Sequence, residues 1–365
     1  MLSQVTGVLG AVVLLSIMLL VHELGHFLVA KRSGVAVEEF GFGYPPRLAC
    51  LFRRGGTEYT INAIPLGGLV RLKGEDNPEG PGSFAIAPKR VRVAVLLAGA
   101  GMNLLLAVVM FTVAFTVGYP TPQYGARITE VSAGTPAAEA GLQVGDIVTQ
   151  IDDQVLYGAG DLSSYVKAHP NQVIELVVHR QEELVFIQAR PKVETDGKGR
   201  LGVGLSPVMA IRRFPLHQAV LQGLKLTGQF LVVTLSLPLL LLRGIVPLEV
   251  VRPIGPLGIG QLASSATQYV MASGQWFVIF YLAGILNAAV ALTNLLPLPG
   301  LDGGRLLFVV AETIRGERVA PEREGTIHAI GLVLLVVLAV IVSVQDVQNI
   351  VMKVNLFDWS QLGLW

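Results

Sequence analysis

The chain is predicted to be a polytopic α-helical membrane protein with about four transmembrane helices, a membrane-associated β-hairpin and one inserted α+β domain. Three observations predict this. The 365 residues are 52% hydrophobic and only 15% charged, with a mean hydropathy of +0.61, a balance that a soluble globular chain rarely has. Four apolar runs are long enough to cross a bilayer. Between the second and third lies a polar block, residues 119–216, with the short strands and turns of a folded domain. A net charge of +1 leaves no basic footprint for nucleic acid. The single cysteine, Cys50, excludes an intrachain disulfide and a Cys-rich zinc site, and reads as a small apolar filler.

The elements follow in order. Residues 1–32 are a first transmembrane helix, its apolar run at 5–30 closed by Lys31 and Arg32. No positive segment precedes the run, so it does not read as a signal peptide. Residues 33–92 form a polar region with a β-hairpin, because 58–64 and 69–73 alternate on either side of the turn signal Pro65-Leu66-Gly67-Gly68. Residues 93–118 are the second span, with Gly99, Gly101 and Asn103 inside it. Residues 119–207 are the inserted domain. Residues 208–272 are a linker whose apolar run at 221–242 is interrupted by Gln222, Lys225, Gln229 and Pro238, and reads as an interfacial or a membrane helix. Residues 273–304 carry the third span, 305–326 a loop, 327–345 the fourth span and 346–365 a tail.

Charge orients these spans. Residues 31–92 carry ten Lys/Arg against six Asp/Glu, and positive charge near a membrane marks the cytoplasmic side. Residues 33–92 and 305–326 are then cytoplasmic. The termini and the inserted domain are outside.

The chemistry starts in the first span. Val21-His22-Glu23-Leu24-Gly25-His26 puts two imidazoles and a carboxylate in an apolar helix, which is costly unless they have a partner. His22 and His26 are four apart, share a helix face and can bind one metal ion, while Glu23 can then deprotonate a bound water. At about 1.5 Å per residue, His26 lies about 8 Å and His22 about 14 Å from Lys31, inside the bilayer near its cytoplasmic face. A catalytic zinc site keeps three protein ligands and one open position. Of the other histidines, His169, His179 and His217 fall on the outer side, and His328 is possible. Asp302 is the better candidate. It follows Pro297 and Pro299 and precedes Gly303 and Gly304 at the depth of His26, and irregular backbone at that depth is tolerated where it lines a cavity. The alternative for Asp302 is a helix cap.

HELGH in the first span, Asn294-Leu-Leu-Pro297-Leu-Pro299-Gly-Leu-Asp302-Gly303 in a later one and a PDZ-like block between them resemble the site-2 proteases, in particular the bacterial regulator-of-sigma-E protease type. The resemblance covers nearly the whole chain. It implies an intramembrane zinc endopeptidase with one Zn2+ held by His22, His26 and Asp302. Glu23 is then the catalytic base, and Asn294 helps to bind the substrate or the tetrahedral intermediate. The implied substrate is a single-span membrane protein such as an anti-sigma factor, already cut outside by another protease. A second reading keeps the spans but no catalysis, as a PDZ-bearing scaffold or metal-binding protein.

Substrate handling is expected at three places. Around Ile61, Ile64, Gly67 and Gly68 the hairpin tip dips into the membrane and offers a strand edge to the unwound substrate. Asn103 gives the second span a polar lining. In the single PDZ-like domain, Gly202 and Gly204 of Leu201-Gly-Val-Gly-Leu205 fit a loop that cradles a carboxylate. That domain either binds an exposed terminus or, the favoured role, excludes substrates with large outside domains. Two features depart from the family. A second PDZ domain is absent, and Gly101 stands where a proline is expected. Residues 252–259 (Arg-Pro-Ile-Gly-Pro-Leu-Gly-Ile) resemble a family element without a derivable role.

Overall fold

The structure, a computed structural model, describes residues 2–75, 80–181, 183–247 and 254–352. In chain order its elements are α1 (Leu2–Arg32), β1 (Val37–Arg54), β2 (Thr57–Leu72), α2 (Lys89–Val117), β3 (Tyr119–Val131), α3 (Pro136–Glu139), β4 (Ile147–Ile151), β5 (Gln154–Val155), α4 (Ala159–Ala168), β6 (Ile174–Arg180), β7 (Glu183–Ala189), β8 (Lys192–Val193), β9 (Gly199–Arg200), β10 (Val203–Arg212), α5 (Leu216–Leu242), α6 (Pro256–Ser273), α7 (Phe277–Asn294), α8 (Asp302–Arg315) and α9 (Pro321–Val351). They form two compact units, the helical one and one that spans residues 118–213.

In the helical unit five helices, rather than the four expected, are long and apolar enough to cross a membrane. The additional one is α5. Its polar interruptions do not break it: Gly223 takes the close approach to α2, where a Cβ would lie 2.8 Å from Thr112 Oγ1, and Pro238 is carried inside the helix. α2 runs as one unbroken helix through Gly101. Two further helices occupy stretches expected to be linker or loop. α6 packs against α1 and α9, and α8 opens at Asp302 and covers the first half of 305–326, as far as Arg315. α9 continues to Val351, beyond the span expected at 327–345.

The β-hairpin expectation needs correction. Residues 57–62 and 64–72 do not pair with each other. Both pair with 37–44, one on each side: Phe40 lies opposite Val70 on one flank and Tyr59 on the other. Residues 47–54 then pair with 57–62, as Arg53 does with Glu58. The sheet order is therefore 64–72, 37–44, 57–62, 47–54. Buried Glu39 ties it together, accepting from Thr60 Oγ1 at 2.7 Å and pairing with Arg47 and Arg71. The sheet lies along α1. Ser16 Oγ donates to the Pro65 carbonyl at 2.8 Å, ten residues up the helix from His26.

The second unit is a sheet of order β10-β3-β4-β6-β7 with β5 on β4, closed by α3 and α4 over a core that includes Ile128, Val148, Ile151, Leu162, Leu176 and Val178. Its strands and its two short helices fall inside the polar block read as a folded domain. Tyr119 and Arg212, at the two ends of the unit, are register partners. Asp146 is buried and clasped by Arg180 at 2.7 and 2.8 Å. Burial opposes its charge, but the Arg180 guanidinium and the Gln143 N–H outweigh burial and hold the carboxyl below its ordinary range.

Candidate active site

α1 and α2 pack through glycines. At Gly25 a Cβ would strike the Ala98 carbonyl oxygen, and at Gly99 it would lie 2.5 Å from His26 Nε2 and 2.6 Å from His22 Nε2. The backbone of α2 therefore passes directly over the two imidazoles. Asp302 reaches them from the start of α8. Residues 295–301 bend back so tightly that a Cβ at Gly303 or Gly304 would meet carbonyls of that turn, which explains the two glycines after the aspartate. Leu301, not Asp302, occupies the cap position, and no side chain caps the helix. The carboxylate points instead at the histidines.

Three donor atoms converge. His22 Nε2 lies 2.9 Å from Asp302 Oδ2, His26 Nε2 lies 3.3 Å from the same oxygen, and the two Nε2 atoms are 3.1 Å apart. Both histidines are buried. A tetrahedral ion with bonds of about 2.0–2.1 Å spaces its ligand atoms about 3.3 Å apart, so this donor set fits one zinc ion. His26 Nδ1 donates to the Val95 carbonyl at 2.7 Å, which leaves its Nε2 lone pair free for a metal. Among the described residues no other group of three His, Cys, Asp or Glu side chains comes together in this way. His328 is not part of the group, because its Nδ1 accepts from the Gly300 N–H at 2.9 Å.

A cavity of about 290 Å³ opens on this cluster, lined also by Glu23, Asn294, Tyr44, Val70, Glu75 and Arg305. Glu23 and Asn294, the two residues read as catalytic, both line this cavity. Glu75 and Arg305, an ion pair at the same cavity, were missed. Arg305 had a signal, since three residues after Asp302 puts both on one face of a helix. Val95 acts through its backbone, so no residue type could have announced it.

The expected substrate residues divide. Gly67 and Gly68 line the contact between the sheet and α1: a Cβ at Gly68 would lie 3.0 Å from Leu20 Cα and 3.1 Å from Glu23 Cγ. Ile64 pairs with Tyr44 near the tip. Ile61 is corrected, since it pairs with Phe42 on one side and Ala49 on the other, so its backbone is no free edge. Asn103 is corrected too. It is fully buried on α2 with Nδ2 3.3 Å from His22 Nδ1, out of reach of a substrate. Gly202 and Gly204 belong to the second unit, in a groove of about 440 Å³ between β10 and α4. Gly202 has a φ of +79° and Thr135 packed where a side chain would go. In the stretch 252–259, Arg252 and Pro253 lie outside the described residues. The remainder opens α6, where Asp346 accepts from the Gly258 N–H at 2.8 Å.

Known proteins resemble this chain along most of its length. Residues 10–338 match the model of peptidase family M50. The zinc metalloprotease RasP of Oceanobacillus iheyensis is 28% identical, over 94% of this chain and 99% of that one. The metalloprotease MmpA of Caulobacter vibrioides is 29% identical, over 88% and 90%. The Arabidopsis thaliana protein described as "Probable membrane metalloprotease ARASP2, chloroplastic" is 30% identical, over 95% and 81%. Among solved structures, the PDZ domain of the SdrC-like protein of Listeria monocytogenes aligns with 22% of this chain and 86% of that one, at 18% identity and a TM-score of 0.21. With a family model across most of its length and relatives matched nearly end to end, the chain belongs to peptidase family M50, the site-2 proteases, and is a multi-pass membrane zinc metalloprotease.

Proposed function

We propose that this protease hydrolyses a peptide bond in or beside the transmembrane segment of a single-span membrane protein, on one zinc ion held by His22, His26 and Asp302. The observation that carries the proposal is the convergence of three donor atoms within 3.3 Å in a cavity that also holds Glu23 and Asn294, among helices able to cross a membrane.

Bound zinc supplies Lewis acidity, lowering the pKa of water at the site toward about 7 and polarising a carbonyl. The Glu23 carboxylate takes the proton of the attacking water and delivers it to the leaving amine nitrogen. Asn294 donates from Nδ2 to the scissile carbonyl oxygen as negative charge develops there. A transmembrane helix bonds its own peptide groups, so its cleavage site must unwind, and a strand edge can replace the lost hydrogen bonds. The edge at 64–72 suits this role, because Val70 and Leu72 line the cavity and Gly68 lets the strand lie against Glu23. Of the residues expected at the edge, Ile64, Gly67 and Gly68 belong to this stretch and Ile61 does not.

We assign the cavity to the cytoplasmic half of a bacterial inner membrane from the Lys/Arg excess of residues 31–92. The second unit, which we read as a PDZ domain outside, filters substrates by size after a first cut by another protease. The test uses the purified full chain in lipid vesicles with a single-span substrate. The wild type is expected to cleave it, and Glu23→Gln to keep zinc but lose about 100-fold or more in turnover. Undiminished cleavage by Glu23→Gln would overturn the mechanism.

A further inference from the structure

One face of α2 runs past the metal-binding pair. Val95, Gly99 and Asn103 recur every fourth residue, as His22 and His26 do on α1. The Val95 carbonyl takes the Nδ1 proton of His26. Gly99 clears the space over both Nε2 atoms. Asn103 stands against Nδ1 of His22 at 3.3 Å with no exposed surface.

The amide has a polar atom to spare. With Nδ2 toward His22, the Asn103 Oδ1 is buried without a hydrogen-bond partner among the described residues, a costly state for a polar atom. That orientation would also make His22 Nδ1 an acceptor and put the imidazole proton on Nε2, the atom that faces His26 and Asp302. The two ends of a carboxamide have the same shape. Turned over, Asn103 presents Oδ1 to a proton on His22 Nδ1, the orphaned acceptor is satisfied, and the Nε2 lone pair points at the other two donors.

We infer that Asn103 is a positioning residue, whose Oδ1 accepts from His22 Nδ1 and holds that ring in the metal-binding tautomer, as the Val95 carbonyl does for His26. The inference rests on the reading of His22, His26 and Asp302 as a zinc site. It replaces the expectation that Asn103 lines a path for substrate. Partners of this kind on the far nitrogen of a ligating histidine carry about 10–100-fold in metal affinity.

Zinc affinity of the full-length protein, measured by competition with a chelator, tests it in the wild type and four variants. Asn103→Ala and the apolar near-isostere Asn103→Leu are expected to bind zinc about 10–100-fold more weakly. Asn103→Asp keeps an acceptor at the same reach and is expected to stay near wild type. Asn287→Ala removes another fully buried amide, on α7, and is expected to change nothing. A general packing role for Asn103 would instead weaken Asn103→Asp as much as Asn103→Leu. That pattern, or wild-type zinc affinity in a folded Asn103→Leu or Asn103→Ala, overturns the inference. Failure of the wild type itself to bind zinc overturns the underlying reading of the site.

Discussion

Gly99 and Gly101 are two residues apart on the same helix and face opposite fates. A Cβ at Gly99 would occupy the space in front of both Nε2 atoms, whereas nothing lies within 4 Å of one at Gly101. Gly99→Ala is therefore expected to abolish stoichiometric zinc binding. Gly101→Ala is expected to keep zinc and to add about 0.5–1 kcal/mol of helix stability. Zinc content and thermal melting of the two purified variants check the pair, and equal zinc content would contradict it. At this scale the residues with a chemical reason to be rare in lipid were legible. His22, Glu23 and His26 declared themselves by spacing, and Asp302 by its depth among prolines and glycines. Gly99 did not, because a missing side chain has meaning only once the neighbour it clears is known.

Strand pairing was the least legible level. The alternation at 58–64 and 69–73 correctly marked strands, but adjacency in sequence suggested a hairpin where 37–44 runs between them. Strand β1 gave little warning, since Gly41, Gly43, Pro45 and Pro46 obscure its period. The corrected order makes 64–72 an edge held against α1 at Gly68. Gly68→Val should push that edge off the helix and lower turnover by about 100-fold, with zinc content unchanged. Gly228→Ala on α5, with open space around it, should do neither. Kinetics with a single-span substrate decide it. In the second unit the Asp146–Arg180 pair has a defined pH signature. A depressed carboxyl pKa adds stability above its unfolded value of about 4, and that stability is lost as pH falls through the lower folded value. Arg180→Met is expected to cost about 1.5–3 kcal/mol at pH 7. Its gap in melting temperature from the wild type should narrow as the pH is lowered from 5 to 2, in the range of the carboxyl. A gap that holds constant would contradict the assignment.

For the whole molecule, composition announced a membrane protein with an inserted domain, and the order of apolar runs located four of the five candidate spans. α5 stayed ambiguous because Gln222, Lys225, Gln229 and Pro238 interrupt its apolar run when it is read as a lone segment, although the helix carries all four. The inserted unit begins and ends on paired residues, Tyr119 and Arg212, whose backbones lie about 5 Å apart. Residues 119–212 can therefore be excised across a short link. The shortened protease is expected to retain zinc and to cleave substrates with short outer segments as before. It should also accept substrates with a folded outer domain that the full chain rejects, and continued rejection would contradict the filter. The central claim is a zinc ion shared by α1 and α8, and zinc K-edge absorption of the purified full chain tests it most directly. One zinc per chain with two imidazoles and a carboxylate is expected, reduced below half occupancy in Asp302→Ala. A chain without zinc, a sulfur ligand, or an unaltered metal environment in Asp302→Ala would contradict it.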